Sequence, residues 1–508
     1  MPEDSNSNLT VISSVFFNNT STFLSNAIFF TGLEINVIDS MFSNNNPYYD
    51  EDDYLLFEEN PTVFSDIIEL KIGSLGGAIY IDSSIFLIEN CQFLWNSAFE
   101  GGAIYLSTIT KGFIESTVIS NNSACYGGGI QFSIQIENAH FSIHSSYFSY
   151  NLAKESGAFM TAFITTFLLV YNNVFFANNG QQGGVFMGIH LNAAVFFRNN
   201  TFYANAAPEI ANKISMYSGA GFCTAGTSTT WVLFFNNSHI KSFAYISAGA
   251  GLVFSGSYLG NQEKFYGNSA GTKGGTVVIE EFSTFFLMNS IIMGSSSSVR
   301  SGAIDITANS MAIMRNVNMS GVDSDQGGGF TVSFYSNLTV ENCEFSDGDA
   351  TIGGLLSGFD HCVVMFINSN IGSFGGDTAI FDVTNVQVIL QNTMIVNLTT
   401  GIMALDNSIG NVIGGLMVNL TMDSQNYPAF YLEESSQLEL NQTGLGNVFI
   451  FIVFFVFFKI FRHFIKKVFV FFLLFFSLKY SIFSFDKNYP KKNRFLKFLI
   501  FFCFFFRF

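Results

Sequence analysis

The sequence predicts an all-β fold: a right-handed single-stranded parallel β-helix, a solenoid of about 26 residues per coil, followed by a Phe-rich hydrophobic tail. Three observations carry this. The phrase Gly-Gly-Ala-Ile-Tyr at 76–80 is written again at 101–105. An aromatic residue, two others and then Asn recur at Phe93/Asn96, Phe148/Asn151, Phe175/Asn178, Phe202/Asn205 and Phe265/Asn268. Between these markers lie short runs of Ile, Val, Phe, Tyr and Thr broken by Gly, Asn and Ser, which is strand-and-turn chemistry.

The Gly element continues at 127–129, 157, 183–184, 249–251, 274–275, 302, 327–329, 353–354, 375–376 and 401. A period of this length means a stacked repeat. Helical arrays need 3.6-residue apolar stripes, which are lacking, and propeller blades need roughly 40 residues or more. The Leu spacing of leucine-rich repeats is missing too. With only six Pro in 508 residues, the turns fall to Gly and Asn, which tolerate left-handed backbone. Parallel crossovers within one sheet are right-handed in nearly all cases, hence the handedness.

In the coil at 76–102, strand one is expected at Ala78 to Ile81, strand two at Ile85 to Glu89 and strand three around Cys91 to Leu94. Asn96-Ser97-Ala98 returns the chain to the next Gly pair. Coils stack at about 4.8 Å, so equivalent residues form columns: Ile79 on Ile104, Tyr80 on Tyr105, Asn96 on Asn122. An Asn column can satisfy turn carbonyls through its side-chain amides, and an aromatic column buries much area per residue. Ile79, Ile81, Ile104 and Leu106 should point inward, with Phe93, Phe148 and Phe175 buried beside them.

The β-helix is expected over 1–446, with an acidic insertion at about 46–63 and an irregular zone at about 206–248. Residues 1–446 hold 10 Lys and Arg against 37 Asp and Glu, a net charge of −27. That balance excludes nucleic acid as a partner, since phosphates need a basic footprint. Residues 447–508 contain 23 Phe and 11 basic residues. The charge-free runs at 448–458 and 468–478 are 11 residues each, about 16 Å as helix against a hydrocarbon core of about 30 Å. One snorkelling membrane anchor and the translation of AT-rich sequence beyond an exon end are both open readings. The opening MPEDSNSNLT is polar and shows no signal peptide, so either the start is truncated or the protein is not exported. Eleven Asn-x-Ser/Thr sites, Asn121 and Asn199 among them, are near the chance number for this composition. Cys91 and Cys343 occupy the same phrase in distant coils, which reads as buried thiols filling a strand position rather than a disulfide.

Candidate chemistry is sparse. Asp323 and Asp325, Asp347 and Asp349, and the pair Asp360-His361 are the candidates for acid–base work on a sugar or for Ca²⁺ binding, and turn residues are the alternative reading. Arg315 is the nearest cation to Asp323. His140 and His144 are expected on one strand face without a third metal ligand nearby. No catalytic, cofactor or metal residue is assigned.

The Gly-Gly-Ala-Ile and Phe-x-x-Asn phrases resemble the chlamydial polymorphic outer membrane protein repeat. They are also similar to large β-helical surface proteins of protists, including ciliates, within the pectin-lyase-like superfamily. The resemblance covers about 16–420. It implies a non-enzymatic adhesin or ligand-binding protein at the cell surface, with glycans or proteins as partners. In the bacterial family a C-terminal barrel anchors the passenger; here the Phe-rich tail takes that place and would reach the membrane. The alternative function is a carbohydrate-active β-helix enzyme, a polysaccharide lyase or glycoside hydrolase.

Overall fold

The computed structural model describes residues 7–21, 25–46, 74–132, 137–162, 165–180, 182–189, 194–207, 219–225, 231–398, 400–418, 429–433, 435–441, 444–445, 450–454 and 472–476. Among these the chain is all strand, without a helix, wound as a parallel β-solenoid of about 13 turns of about 27 residues. Two further coils, at 7–46, precede the turns that begin at residue 74.

One coil shows the plan. Its strands are Ile104–Ser107, Lys111–Glu115, Val118–Ser120 and the two-residue Ser123–Ala124. The fourth strand lies where a plain return turn is expected. It recurs at Leu152–Ala153, Asn179–Gly180, Ala206–Ala207 and Phe243–Ala244, where the second residue is small and buried. A chain held extended there can stack on its neighbours and leave no backbone group unpaired. Strands one and two, expected as separate, run on as Ile79–Glu89 in the first coil after residue 74 and part at 108–110 in the next.

The two glycines of a pair do different work. Gly76, Gly101, Gly127, Gly274, Gly327 and Gly353 have φ between 62° and 70°, the left-handed region that L side chains avoid. The glycine that follows needs space instead: a Cβ on Gly102 would lie 2.2 Å from the Gly128 carbonyl oxygen in the next coil. Backbone stacks on backbone at this corner.

The interior is a set of columns. Ile79 pairs with Ile104, and Ile104 with Ile130, all fully buried. Ile81, Leu106, Phe93, Phe148 and Phe175 are likewise buried. Rings stack along the third strand, Phe42 on Phe93 at 4.9 Å and Phe148 on Phe175 at 5.1 Å. The expected Tyr80–Tyr105 stack is present at 5.3 Å, on the outward side of strand one.

Two buried amide ladders close the corners. Asn122 Nδ2 donates to Asn151 Oδ1 at 3.0 Å and to the Phe93 carbonyl at 3.0 Å. The same geometry links Asn96 to Asn122 and Asn151 to Asn178. A second ladder runs through Asn173, Asn200 and Asn237. The residue before each ladder position is left-handed, as at Asn121 and Asn199. These Asn side chains do for the corner what the sheets do for the strands: every donor finds an acceptor one coil away.

The zone at 206–248 is more regular than expected. Phe222–Ala225 pairs in register with Phe186–Ile189, and Trp231–Phe235 with Ala194–Arg198. The solenoid keeps its register across this longer coil, as stacked repeats do. The acidic insertion lies outside the described residues, apart from Asn46 at its start. So does the tail, except for Ile450–Phe454 paired antiparallel with Phe472–Phe476. Among the described residues no helix is long and apolar enough to cross a membrane. The described cysteines Cys91, Cys125, Cys223, Cys343 and Cys362 are all free and buried.

Candidate interaction face

The carboxylates singled out in the sequence are brought together only in part. Asp323 pairs in register with Asp349 on the neighbouring coil, and both are exposed, as is Asp325. Asp347 and Asp349 lie in one strand, Glu344–Ile352, both exposed on either side of the buried Gly348, and Asp347 has a left-handed φ of 55°. Asp360 and His361 also sit at a left-handed corner, where the imidazole stacks on Tyr335 at 5.3 Å. Arg315 does not serve Asp323, because its Nε lies 2.8 Å from Glu341 Oε2 on the second-strand face. His140 packs near Phe167, while His144 stacks on Tyr171 at 4.7 Å with Nε2 3.5 Å from Glu115 Oε2. Among the described residues no group of three or more His, Cys, Asp or Glu is placed to hold a metal ion.

A charged corner that the sequence did not announce lies on the outward side of strand one. Asp305 is fully buried there and takes two contacts of 3.3 Å from the Arg300 guanidinium, at Nε and Nη2. Arg300 also donates to Ser333 Oγ at 3.2 Å and lies over the Phe359 ring at 5.3 Å. Lys273 and Glu280 form the neighbouring ion pair. Burial pushes the Asp305 carboxyl up, and Arg300 and Lys273 oppose this. Each cation of the corner already holds a carboxylate, so the cluster ties coils together rather than presenting a free charge to a substrate.

An apolar surface lies on the outer side of the second strands. Those strands read AVFFR, WVLFF, TFFLM, VVMFI and QVILQ, apolar at both parities. The inward parity is buried, as with Val232 and Phe234. The outward middle residues align in one row by register: Leu87, Phe113, Ser142, Leu169, Phe196, Leu233, Leu259, Phe286, Ile313, Thr339, Met365 and Ile389. Each is half-buried and none is charged. Beside the row, Phe167 is 40% exposed, Trp231 45% and Phe235 39%.

A strand covered on one side alternates apolar with polar, whereas an unbroken apolar run belongs to strands covered on both sides. These strands have the second pattern, and among the described residues only their inner side is covered. A row of outward Leu, Phe, Ile and Met side chains, interrupted only at Ser142 and Thr339, is the kind of exposed apolar surface that marks an interaction site. The signal was in the sequence as the apolar outward parity of WVLFF and TFFLM, but finding it required knowing which residues the coils stack into a row.

No family model, curated protein or solved structure matches the chain.

Proposed function

We propose that the protein is a non-enzymatic β-solenoid binding protein that presents its second-strand face to a partner surface. The uncharged middle row from Leu87 to Ile389 is the observation that carries this reading. The repeat phrases support the finer placement: a surface protein of the polymorphic outer membrane protein or protist β-helical type, within the pectin-lyase-like group, acting in adhesion or ligand binding. The Phe-rich residues 447–508 support attachment to a membrane, with the solenoid on the extracellular side.

The carbohydrate-enzyme reading has one specific foothold, the exposed Asp323 and Asp349 on adjacent strands. Strands in a sheet lie about 4.8 Å apart, close to the separation of a retaining glycosidase pair. No cation is within reach in sequence, and Arg315 is held by Glu341. A screen of uronate and neutral polysaccharides, with and without Ca²⁺, is expected to show no turnover by the full chain. Turnover that Asp323→Asn or Asp349→Asn abolishes would replace the binding reading with the enzymatic one.

A further inference from the structure

We propose that the partner of the second-strand face is a second copy of this chain, related by a two-fold axis running along the solenoid. This rests on the reading of that face as an interaction surface.

The self-complementarity of the strands points to it. A two-fold axis parallel to the coil stack, lying in the face, sets each second strand against the same strand of the other copy, reversed. The middle residue meets itself, and the first residue of the strand meets the last. Isologous contacts of this kind need one patch that complements its own image. Here Lys111 meets Glu115 of the second copy, Phe167 meets Tyr171, and Trp231 meets Phe235. Further along, Thr284 meets Met288, Val363 meets Ile367 and Gln387 meets Gln391. Ion meets counter-ion at 111 and 115, ring meets ring at 167 and 171 and at 231 and 235, and aliphatic meets aliphatic at 363 and 367, while Ile85 falls opposite Glu89 and Asn337 opposite Glu341. Arg198 and Arg315 fall opposite Ala194 and Met311, so no like charges are opposed. An antiparallel arrangement centred on Leu259 fails this test, because it sets Arg198 against Arg315 five and nine strands along the row.

The area is sufficient. Eleven spacings of about 4.8 Å by five residues of about 3.3 Å give roughly 900 Å² per copy, against about 800 Å² per partner in a standard interface. Stacked sheets pack face to face at about 10 Å, with side chains such as Leu259 and Phe286 filling the gap.

The test uses the full chain with single added cysteines and a short bis-maleimide linker. Leu259→Cys and Met365→Cys should each cross-link to its own copy at least tenfold more than Asn318→Cys on the third-strand face. The parent chain gives the background. A mixture of Leu259→Cys and Met365→Cys should yield no linked dimer joining the two different variants. Linkage at 259 but not at 365 would overturn the parallel two-fold. No linkage at either would overturn the second copy as partner. Dye binding then separates the two ideas. If Leu259→Asp halves the fluorescence of a bound apolar dye in an unlinked chain, the face stands as an exposed apolar surface for another partner. If the dye signal is unchanged, the reading of the face itself falls.

Discussion

Ile104→Asp is expected to lower stability by about 4 kcal/mol, the scale of an unpaired charge left in a protein interior. Ile104 is fully exposed to its neighbours and not at all to water: it lies between Ile79 and Ile130 in a column without a polar partner. An Asp there must either carry a proton at neutral pH or open the coil. Ile104→Val is the control, since losing one methyl costs only about 1 kcal/mol. Because each coil touches mainly its two neighbours, the damage should also be local. Proteolysis should begin in the coils around 79–130 before the rest of the solenoid is cut. A denaturation midpoint for Ile104→Asp equal to that of Ile104→Val would overturn the assigned inward register.

The contribution of one buried pair to stability is expected to be flat between pH 4.5 and 6.5. His239 takes the place of an aromatic ring in the third-strand column, stacked between Phe202 at 4.5 Å and Phe265 at 4.8 Å. Glu263 takes the place of an Asn in the second ladder, its Oε1 accepting from Asn237 N at 3.1 Å and Asn237 Nδ2 at 3.2 Å. Glu263 Oε2 lies 3.4 Å from His239 Nε2, and both side chains are wholly buried. Burial pushes the Glu263 carboxyl up to about 8 and the imidazole down to about 3. Both groups are therefore neutral at pH values between about 3 and about 8. Burial pushes the neighbouring Tyr258 hydroxyl up, and the Asn237 hydrogen bonds and Lys264 oppose the rise of the Glu263 carboxyl.

The signs follow from which state binds more protons. Folded Glu263 keeps its proton above its ordinary value of 4.5, so its contribution is complete below 4.5 and is lost as pH rises towards about 8. Folded His239 refuses a proton that the unfolded chain takes below 6.5, so its contribution is complete above 6.5 and is lost as pH falls towards about 3. Between 4.5 and 6.5 the two slopes cancel. Outside that window each loses about 2 kcal/mol over its remaining 1.5 units. Glu263→Gln keeps an acceptor for Asn237 and should abolish the alkaline loss. His239→Phe restores the ring column and should abolish the acid loss. Denaturation midpoints measured across pH 3 to 9 on parent and variants check this. Difference curves without slope in those windows would refute it.

The sequence by itself determined the repeat, and with it most of the fold. The Gly-Gly-Ala-Ile phrase and the aromatic-x-x-Asn phrase recur because each coil must repeat the same corner and the same inward residues. The stacks of Tyr80 on Tyr105 and Asn96 on Asn122 follow from the period alone, since parallel stacking converts equal sequence position into spatial contact. Side-by-side contacts that cross phrases were not legible. Arg315 finds Glu341 rather than Asp323, because they share a strand face one coil apart. Arg300 reaches Asp305 and Ser333 across a corner whose shape depends on the fourth short strand. His239 and Glu263 each look like an ordinary surface residue in sequence, and only the columns they enter make them buried and neutral. The outer apolar row is of the same kind. Every Leu, Phe and Ile in it was visible, but one patch forms only when coils of unequal length bring them into register at the inter-strand spacing. The period is a local property of the chain and survives in one dimension. Burial, charge pairing and surface continuity depend on which coil lies above which, and tertiary stacking alone decides that.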